Sequence, residues 1–294
     1  MSEERVDKQW REKGLGAYST SAILGTLNHY GVMLDEVGVK AAAGERTPME
    51  VAQDWRAGWK GKGQFEVFPY AAANELLERL FPDRPTPRKV ASTLVELTVV
   101  GVKVVDGGSD ELVPLLDRAD GLLAGLSKEA SRLESFVGEL VGILEPWARP
   151  FGDLPRLLAK AGKRDEALRI AAIHEVLFPD RKGCAVAVVR ATSGEREAAV
   201  ADLKGWASEE ARDIFARYHA FDALFQIEAW EAVKAVGLGL FDAAAATGQW
   251  HLADSAAHLL ARVLDQTEVD LSFAKEVDRR LELAHQKTGG HHHH

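Results

Sequence analysis

Two histidines in this chain are each followed, three residues later, by an aspartate. His219 precedes Asp222, and His251 precedes Asp254. On an α-helix this i, i+3 spacing places both side chains of a pair on one face. Imidazole and carboxylate ligands suit Zn²⁺, Fe²⁺ or Mn²⁺. Two such pairs on adjacent helices are therefore candidate metal ligands, and an open coordination position would make the chain a candidate helical metalloenzyme.

A structural interpretation of the same histidines is preferred. In it they are solvated or hydrogen-bonded side chains, since neither His219 nor His251 has a glutamate three residues before it, as the Glu-x-x-His motif of carboxylate-bridged di-iron bundles requires. His258 lies two turns after His251 on an apolar face and is expected to pack in a core or an interface. We therefore predict no catalytic residue, no cofactor and no metal, and keep the two pairs as the metal alternative.

A second candidate site combines aromatic and basic residues. Trp55 and Trp59 are four residues apart, and Lys60 and Lys62 follow them in a glycine-containing segment. Aromatic anchors with a cationic rim are typical of a partner-binding surface. The alternative is a helix that buries both tryptophans and ends in a basic turn, which the helix dipole favours.

Motifs for common chemistries are not found. The sequence contains no phosphate-binding Gly-x-x-x-x-Gly-Lys-Ser/Thr, no Gly-x-Gly-x-x-Gly and no Gly-x-Ser-x-Gly. Gly237 and Gly239 lie in an apolar helical pattern and indicate a close helix–helix contact. Cys184 is the single cysteine and sits in an apolar run, as a small core residue would. We therefore expect a non-enzymatic protein.

Composition limits the class of protein. The 294 residues include 46% hydrophobic and 28% charged residues, with a net charge of −9, which indicates an acidic globular protein. Nucleic-acid binding is disfavoured because it needs a basic face, and a basic protein or peptide partner is preferred. We read 289–294 as a linker and histidine tag. No signal region or membrane span is recognised, so a cytoplasmic location is expected.

The apolar pattern is helical along most of the chain. Residues 112–147 carry a heptad stripe, with a break expected near Ser127. Helix starts are predicted at the Thr47-Pro48-Met49-Glu50 capping box, at Thr86-Pro87 and at Ser208. The valine-rich runs 99–105 and 186–189 could be strands, but because no partner strand is recognisable nearby we predict both to be helical.

One family resemblance is carried by two turns. In Leu157–Leu168, Gly162 stands at a turn, Ala167 stands where two helices would approach, and Pro179 ends the unit. In Ala243–Ala253, Gly248 and Ala253 have the same spacing. Both stretches resemble the helical hairpin of tetratricopeptide (TPR) repeats. The resemblance implies a right-handed superhelix of hairpins with a concave groove that binds peptides or proteins.

A second internal similarity joins Leu80–Arg84 and Leu177–Arg181, which share the sequence Leu-Phe-Pro-Asp-Arg. Glu78 and Glu175 precede them at equal distance. The pattern predicts two helix-ending turns, because proline blocks continuation of a helix. An ancient duplication of the two halves is the alternative interpretation.

Together these features predict an all-α array of antiparallel, TPR-like hairpins in a single compact or curved domain. Its segments are an N-terminal helical region (1–106), a connecting hairpin (107–153) and a C-terminal TPR-like region (154–288). The preferred function is a protein- or peptide-binding adaptor that binds neither nucleic acid nor membrane. The alternatives are an acidic immunity or inhibitor protein that occludes a basic toxin, and the metalloenzyme centred on His219, Asp222, His251 and Asp254.

Overall fold

The regular structure of this chain is helical. A computed structural model describes residues 4–107, 111–126, 130–268 and 270–289, and within these residues there is no strand. The all-α prediction is confirmed, and both valine-rich runs lie inside helices, 99–105 in α6 and 186–189 in α11. No helix in the described ranges has the length and apolar character needed to cross a membrane.

The helices follow one another with short connections. In chain order they are α1 (Trp10–Lys13), α2 (Thr20–His29), α3 (Glu36–Ala43), α4 (Pro48–Gly58), α5 (Phe68–Leu80), α6 (Pro87–Val105), α7 (Leu112–Ala124), α8 (Ala130–Leu144), α9 (Ala148–Lys160), α10 (Arg164–Leu177), α11 (Cys184–Thr192), α12 (Arg196–Ser208), α13 (Ile214–Gln226), α14 (Trp230–Ala246), α15 (Trp250–Leu264) and α16 (Leu271–Thr288). Short 3₁₀ turns lie at Leu15–Ala17, Gly63–Phe65, Glu145–Trp147 and Pro179–Arg181.

Two of the three predicted helix starts are confirmed. Thr47 and Glu50 form a complete capping box at the start of α4, and Thr86 accepts a hydrogen bond from Lys89 N in the first turn of α6. The start predicted at Ser208 is wrong. Ser208 ends α12, and α13 begins at Ile214 because the Asp213 carboxylate caps it by accepting from Phe215 N. Helices α7 and α8 are separate, but Ser127 itself lies outside the described residues.

The described residues form two compact units. Unit 1 comprises residues from 1–97 and 117–148, and unit 2 comprises residues from 98–116 and 149–294. The two units group residues that lie close together in space. The segments predicted from the sequence, which end at 106 and 153, were divided at glycine- and proline-rich joints along the chain. The core of unit 1 is rich in aromatic rings; Trp10 meets Phe68 edge to face at 5.3 Å.

Unit 2 is built by packing helices on their neighbours in the chain. From α10 to α16 every helix packs on the next one, and α11, α12 and α13 also pack on α13, α14 and α15 respectively. These contacts are local in sequence and join helices into the hairpins α11–α12, α13–α14 and α15–α16. Helix α9 contacts α10 through the rings of Phe151 and His174, and we treat α9–α10 as a fourth hairpin.

Four turns in unit 2 share one backbone geometry. Gly162, Gly194, Glu228 and Gly248 all have a left-handed φ, between 58° and 101°. The residue after each donates its N–H to a carbonyl five positions earlier; for example, Lys163 N bonds Leu158 O and Ala229 N bonds Leu224 O. This is the Schellman C-cap, and the next helix starts one residue later in every case.

The helix after each of these turns approaches its neighbour through a residue with a small side chain. The fifth residue after the left-handed position is Ala167, Ala199, Val233 or Ala253, and each is 0% exposed. A larger side chain there would force the two helices apart, since protein cores are close-packed. The turn and the small residue therefore recur together as one hairpin signature.

The two Leu-Phe-Pro-Asp-Arg segments adopt the same local structure. Helices α5 and α10 both end at the leucine, and the arginine of each segment lies over its phenylalanine ring. Glu78 accepts a hydrogen bond from Thr86 Oγ1, and Glu175 accepts one from Gly183 N, eight residues on in both cases. The prediction of helix-ending turns is confirmed.

Candidate functional site

The first helices of the four hairpins of unit 2 together line a groove that consists of two cavities with shared lining residues. Its main part, of about 710 Å³, is formed by side chains of α9, α13 and α15 and by Trp230 at the start of α14. A smaller cavity of about 70 Å³ lies beside it and is lined by α9, α10, α11 and α13. The two parts share Asp222 and Gln226. We call them together the unit 2 groove.

His174 lines the small cavity and is almost fully enclosed. It is 7% exposed, and the Phe151 ring lies 4.3 Å from its ring. Burial lowers the pKa of His174 to about 4, so the imidazole is neutral at pH 7. One ring nitrogen hydrogen-bonds the backbone of Phe151, while Nε2 is buried without a hydrogen-bond partner in the described part of the chain. In a neutral imidazole whose other nitrogen donates, Nε2 is an acceptor.

His219 and Asp222 of α13 also line this cavity. His219 Nε2 lies 2.9 Å from Asp180 Oδ2, and Asp222 Oδ2 accepts from Gln226 Nε2 at 2.7 Å. Burial lowers the pKa of His219 and raises that of Asp222. Each member of this pair thus has its own partner, and both charges are disfavoured by desolvation.

The main part of the groove combines aromatic rings with arginines. The Arg262 guanidinium lies 4.7 Å from the centre of the Phe225 ring, and Trp230 meets Phe225 edge to face at 5.2 Å. On the α9 side, Arg156 Nη2 lies 3.7 Å from Asp153 Oδ1, and its Nε is buried without a hydrogen-bond partner. The groove therefore has an aromatic and cationic lining, and two of its lining residues, Arg156 and His174, each hold a buried polar atom without a partner among the described residues.

The two histidine–aspartate pairs do not contribute to one possible metal site among the described residues. His251 is exposed on α15. Asp254 shares a possible metal position with His258 and His285, and neither His219 nor Asp222 belongs to that group. His258 is also exposed, so it does not pack in the core of unit 2, and its packing in an interface stays a prediction.

The tryptophan pair predicted as a partner surface lies in and around the core of unit 1. Trp55 is 5% exposed. Trp59 is half-buried, stacks on Phe68 at 5.8 Å and donates Nε1–H to Phe65 O. Lys60 and Lys62 are exposed. Only the two lysines are thus presented to solvent, as in the alternative in which the helix packs its aromatic residues.

Unit 1 has a cavity of its own, of about 510 Å³, with three arginines in its lining. Arg84 donates to Gly44 O and Arg46 O, Arg46 pairs with Asp54, and Arg132 pairs with Glu45. All three guanidinium groups thus have partners within the protein. The lining of the unit 2 groove, by contrast, includes residues with buried polar atoms that lack a partner among the described residues.

Comparison of this chain with models of protein families, with curated proteins and with solved structures finds no match. The groove residues that sequence reasoning missed are Arg156, His174, Phe225, Trp230 and Arg262. Their types are common in helices, and they come from different hairpins. The turns at Gly162, Gly194 and Glu228 place α9, α11 and α13 in equivalent positions, but the third turn has no glycine, so no sequence signal identifies the groove residues.

Proposed function

We propose that this chain is a non-enzymatic, TPR-like helical-repeat protein that binds an extended segment of a protein partner in the unit 2 groove. In this proposal unit 2 supplies the binding surface, and the partner is held by side chains of α9, α13 and α15. The proposal rests on the repeated hairpin and on the unsatisfied polar atoms of the groove.

The repeated turn supports the helical-repeat part. The left-handed residues at Gly162, Gly194 and Glu228 recur at intervals of 32 and 34 residues, close to the period of about 34 residues of TPR hairpins. Stacking of such modules places equivalent helices side by side and forms an extended surface. A groove lined by the first helix of every hairpin is the expected outcome of that arrangement.

The observation that carries the binding function is the pair of buried polar atoms without partners. Arg156 Nε can donate, His174 Nε2 can accept, and both side chains line the groove. Leaving such a group unsatisfied costs about 1–3 kcal/mol. An extended peptide has alternating carbonyl and N–H groups that can satisfy both once small side-chain movements expose the two atoms, while Phe225 and Trp230 contact its apolar side chains.

The charges of the groove indicate a mixed rather than a purely basic partner. Arginines 149, 156 and 262 line its main part together with Asp153, Asp222, Glu228 and Asp265. A segment with both charge signs would complement this surface. The acidic net charge of the chain alone favoured a basic toxin as partner, and no feature of the groove favours that alternative specifically.

The proposal is tested by selecting linear peptides from a random display library on the immobilised chain and measuring their affinity by calorimetry. Selected peptides should bind the Arg262→Ala and Phe225→Ala variants at least about 10-fold more weakly, because both remove contacts at the centre of the groove. Lys204→Ala is the matched control, since Lys204 is exposed on α12 and does not line the groove.

Hydrogen exchange gives a second measurement on the same peptides. Protection on binding should fall on α9, α13 and α15. Failure to select any peptide, equal affinity for the groove variants and the wild type, or protection confined to residues 60–66 of unit 1 would each contradict the proposal.

A further inference from the structure

Helices α15 and α16 bring two histidines and one aspartate together on the surface of unit 2. Asp254 and His258 are one turn apart on α15, and His285 lies on α16. One ligand atom from each of the three lies within 4.8 Å of the other two. This group is distinct from the unit 2 groove, and its chemistry is independent of whether the groove binds a peptide.

The backbone beneath the three side chains is fixed by close helix packing. Ala253, Ala257 and Ala284 are each 0% exposed and form one small core cluster between α15 and α16. Asp254, His258 and His285 are the residues that directly follow them in the chain. Small residues allow two helices to approach closely, so the three ligand side chains start from a tightly positioned backbone.

The distances between the three side chains match ligation better than hydrogen bonding. Asp254 Oδ1 lies 3.7 Å from His258 Nε2 and 3.8 Å from His285 Nε2. Both separations exceed a normal hydrogen bond of about 2.7–3.2 Å. With metal–ligand bonds of about 2.0–2.2 Å, two ligands of a tetrahedral Zn²⁺ lie about 3.4 Å apart, so a small side-chain movement would place all three around one ion.

The aspartate oxygen at the centre supplies an independent observation. Asp254 Oδ1 is shielded from solvent and has no hydrogen-bond partner among the residues that the structure describes. A buried carboxylate oxygen without a donor is unfavourable, and a bound cation would remove that penalty. The two imidazole rings that face it are 50–55% exposed in their side chains. An ion held there would therefore keep at least one position open to solvent.

We propose that Asp254, His258 and His285 form a binding site for one divalent transition-metal ion, with Zn²⁺ as the preferred occupant. Two neutral imidazoles and one carboxylate are ligands that Zn²⁺ accepts, whereas Mg²⁺ and Ca²⁺ prefer oxygen ligands alone. Because the ligands come from two helices, the ion ties α16 to α15 and stabilises the last hairpin.

The test is calorimetric titration of Zn²⁺ into the chain ending at Gly289, since His291–His294 would bind metal independently. We expect one equivalent of Zn²⁺ to bind and Mg²⁺ to produce no heat. Asp254→Asn, His258→Gln and His285→Gln should each weaken binding by more than about 10-fold, the range that loss of a supporting residue alone produces. His251→Gln is the matched control, an exposed histidine on α15 outside the group.

Thermal unfolding distinguishes a tether from loose surface binding. Zn²⁺ at about 100 times its Kd should raise Tm by about 5 °C in the wild type and in His251→Gln, and not in Asp254→Asn. Circular dichroism confirms that each variant is folded, which is expected because both histidines are exposed. Absence of stoichiometric binding, unchanged affinity in Asp254→Asn, or equal loss in His251→Gln would overturn the assignment.

Discussion

His174 packs against Phe151 with 4.3 Å between the ring centres, and this contact keeps an ionisable group inside unit 2. Burial lowers the pKa of His174 to about 4 from its ordinary value of 6.5. In the unfolded chain the same histidine binds a proton near pH 6.5. The folded state therefore favours the neutral ring over the charged ring.

The first prediction is that unit 2 loses stability as the pH falls from about 6.5 to about 4. Because the unfolded state takes up the proton first, the free energy of unfolding should fall by about 2 kcal/mol between pH 6.5 and pH 5. The lowered pKa of His219 acts in the same direction, and the raised pKa of Asp222 opposes it. Urea denaturation at several pH values measures the sum.

His174→Leu should remove most of this pH dependence, whatever its effect at pH 7. His251→Gln, which replaces an exposed histidine on α15, should retain it. A pH dependence that is the same in wild type and His174→Leu would mean that another group is responsible.

The second prediction compares two glycines of α14. A Cβ at Gly237 would lie 2.5 Å from Leu260 Cδ2 and 2.9 Å from Phe221 Cε2, whereas a Cβ at Gly239 would meet nothing within 4 Å. Leu260 and Phe221 are both 0% exposed, so the surrounding core must shift to admit the added methyl group. Gly237→Ala should therefore destabilise the protein by about 1–3 kcal/mol.

Gly239→Ala should instead stabilise the protein by about 0.5–1 kcal/mol, because alanine restricts the unfolded chain and favours the helix. Urea denaturation of the two variants checks both signs. If both substitutions stabilise, α14 does not approach α13 and α15 as closely as described.

The third prediction concerns the single cysteine. Cys184 is 7% exposed, and burial raises the pKa of its thiol to about 12. Because the thiolate is the reactive form, the folded protein should react with a thiol reagent such as Ellman's reagent only as fast as unit 2 opens. The reaction should become fast in denaturing urea. Fast reaction of the native protein would show that Cys184 is accessible through the small cavity.

The sequence predicts the helices well and the groove poorly, for a physical reason. Apolar periodicity and caps such as Thr47 are local signals, and they located most elements. The helix start predicted at Ser208 was wrong because an equally good cap, Asp213, lies five residues later. By contrast, Arg156 and Arg262 come from hairpins about 100 residues apart, and no local pattern reports which helix faces share a groove.

The repeat itself was only half visible in the sequence. Gly162 and Gly248 carried the resemblance, yet Gly248 joins α14 to α15, two consecutive hairpins, while Gly162 lies within a hairpin. The turn equivalent to Gly162 in the third hairpin is occupied by Glu228, whose left-handed φ of 58° glutamate rarely adopts. Without a glycine there, spacing alone could not reveal the period.

That exception leads to the fourth prediction. Glu228→Gly should stabilise the protein by about 0.5–1 kcal/mol, because relief of about 1–2 kcal/mol of left-handed strain exceeds the added freedom of the unfolded chain. The hydrogen bond that the Arg196 guanidinium donates to Glu228 O needs no side chain at position 228 and should persist. Gly194→Ala, the matched change at the equivalent turn, should destabilise by about 1 kcal/mol, since its φ of 101° disfavours any Cβ. Paired urea denaturation curves check the opposite signs. Destabilisation by Glu228→Gly would mean that the Glu228 side chain contributes more to folding than its strained backbone removes.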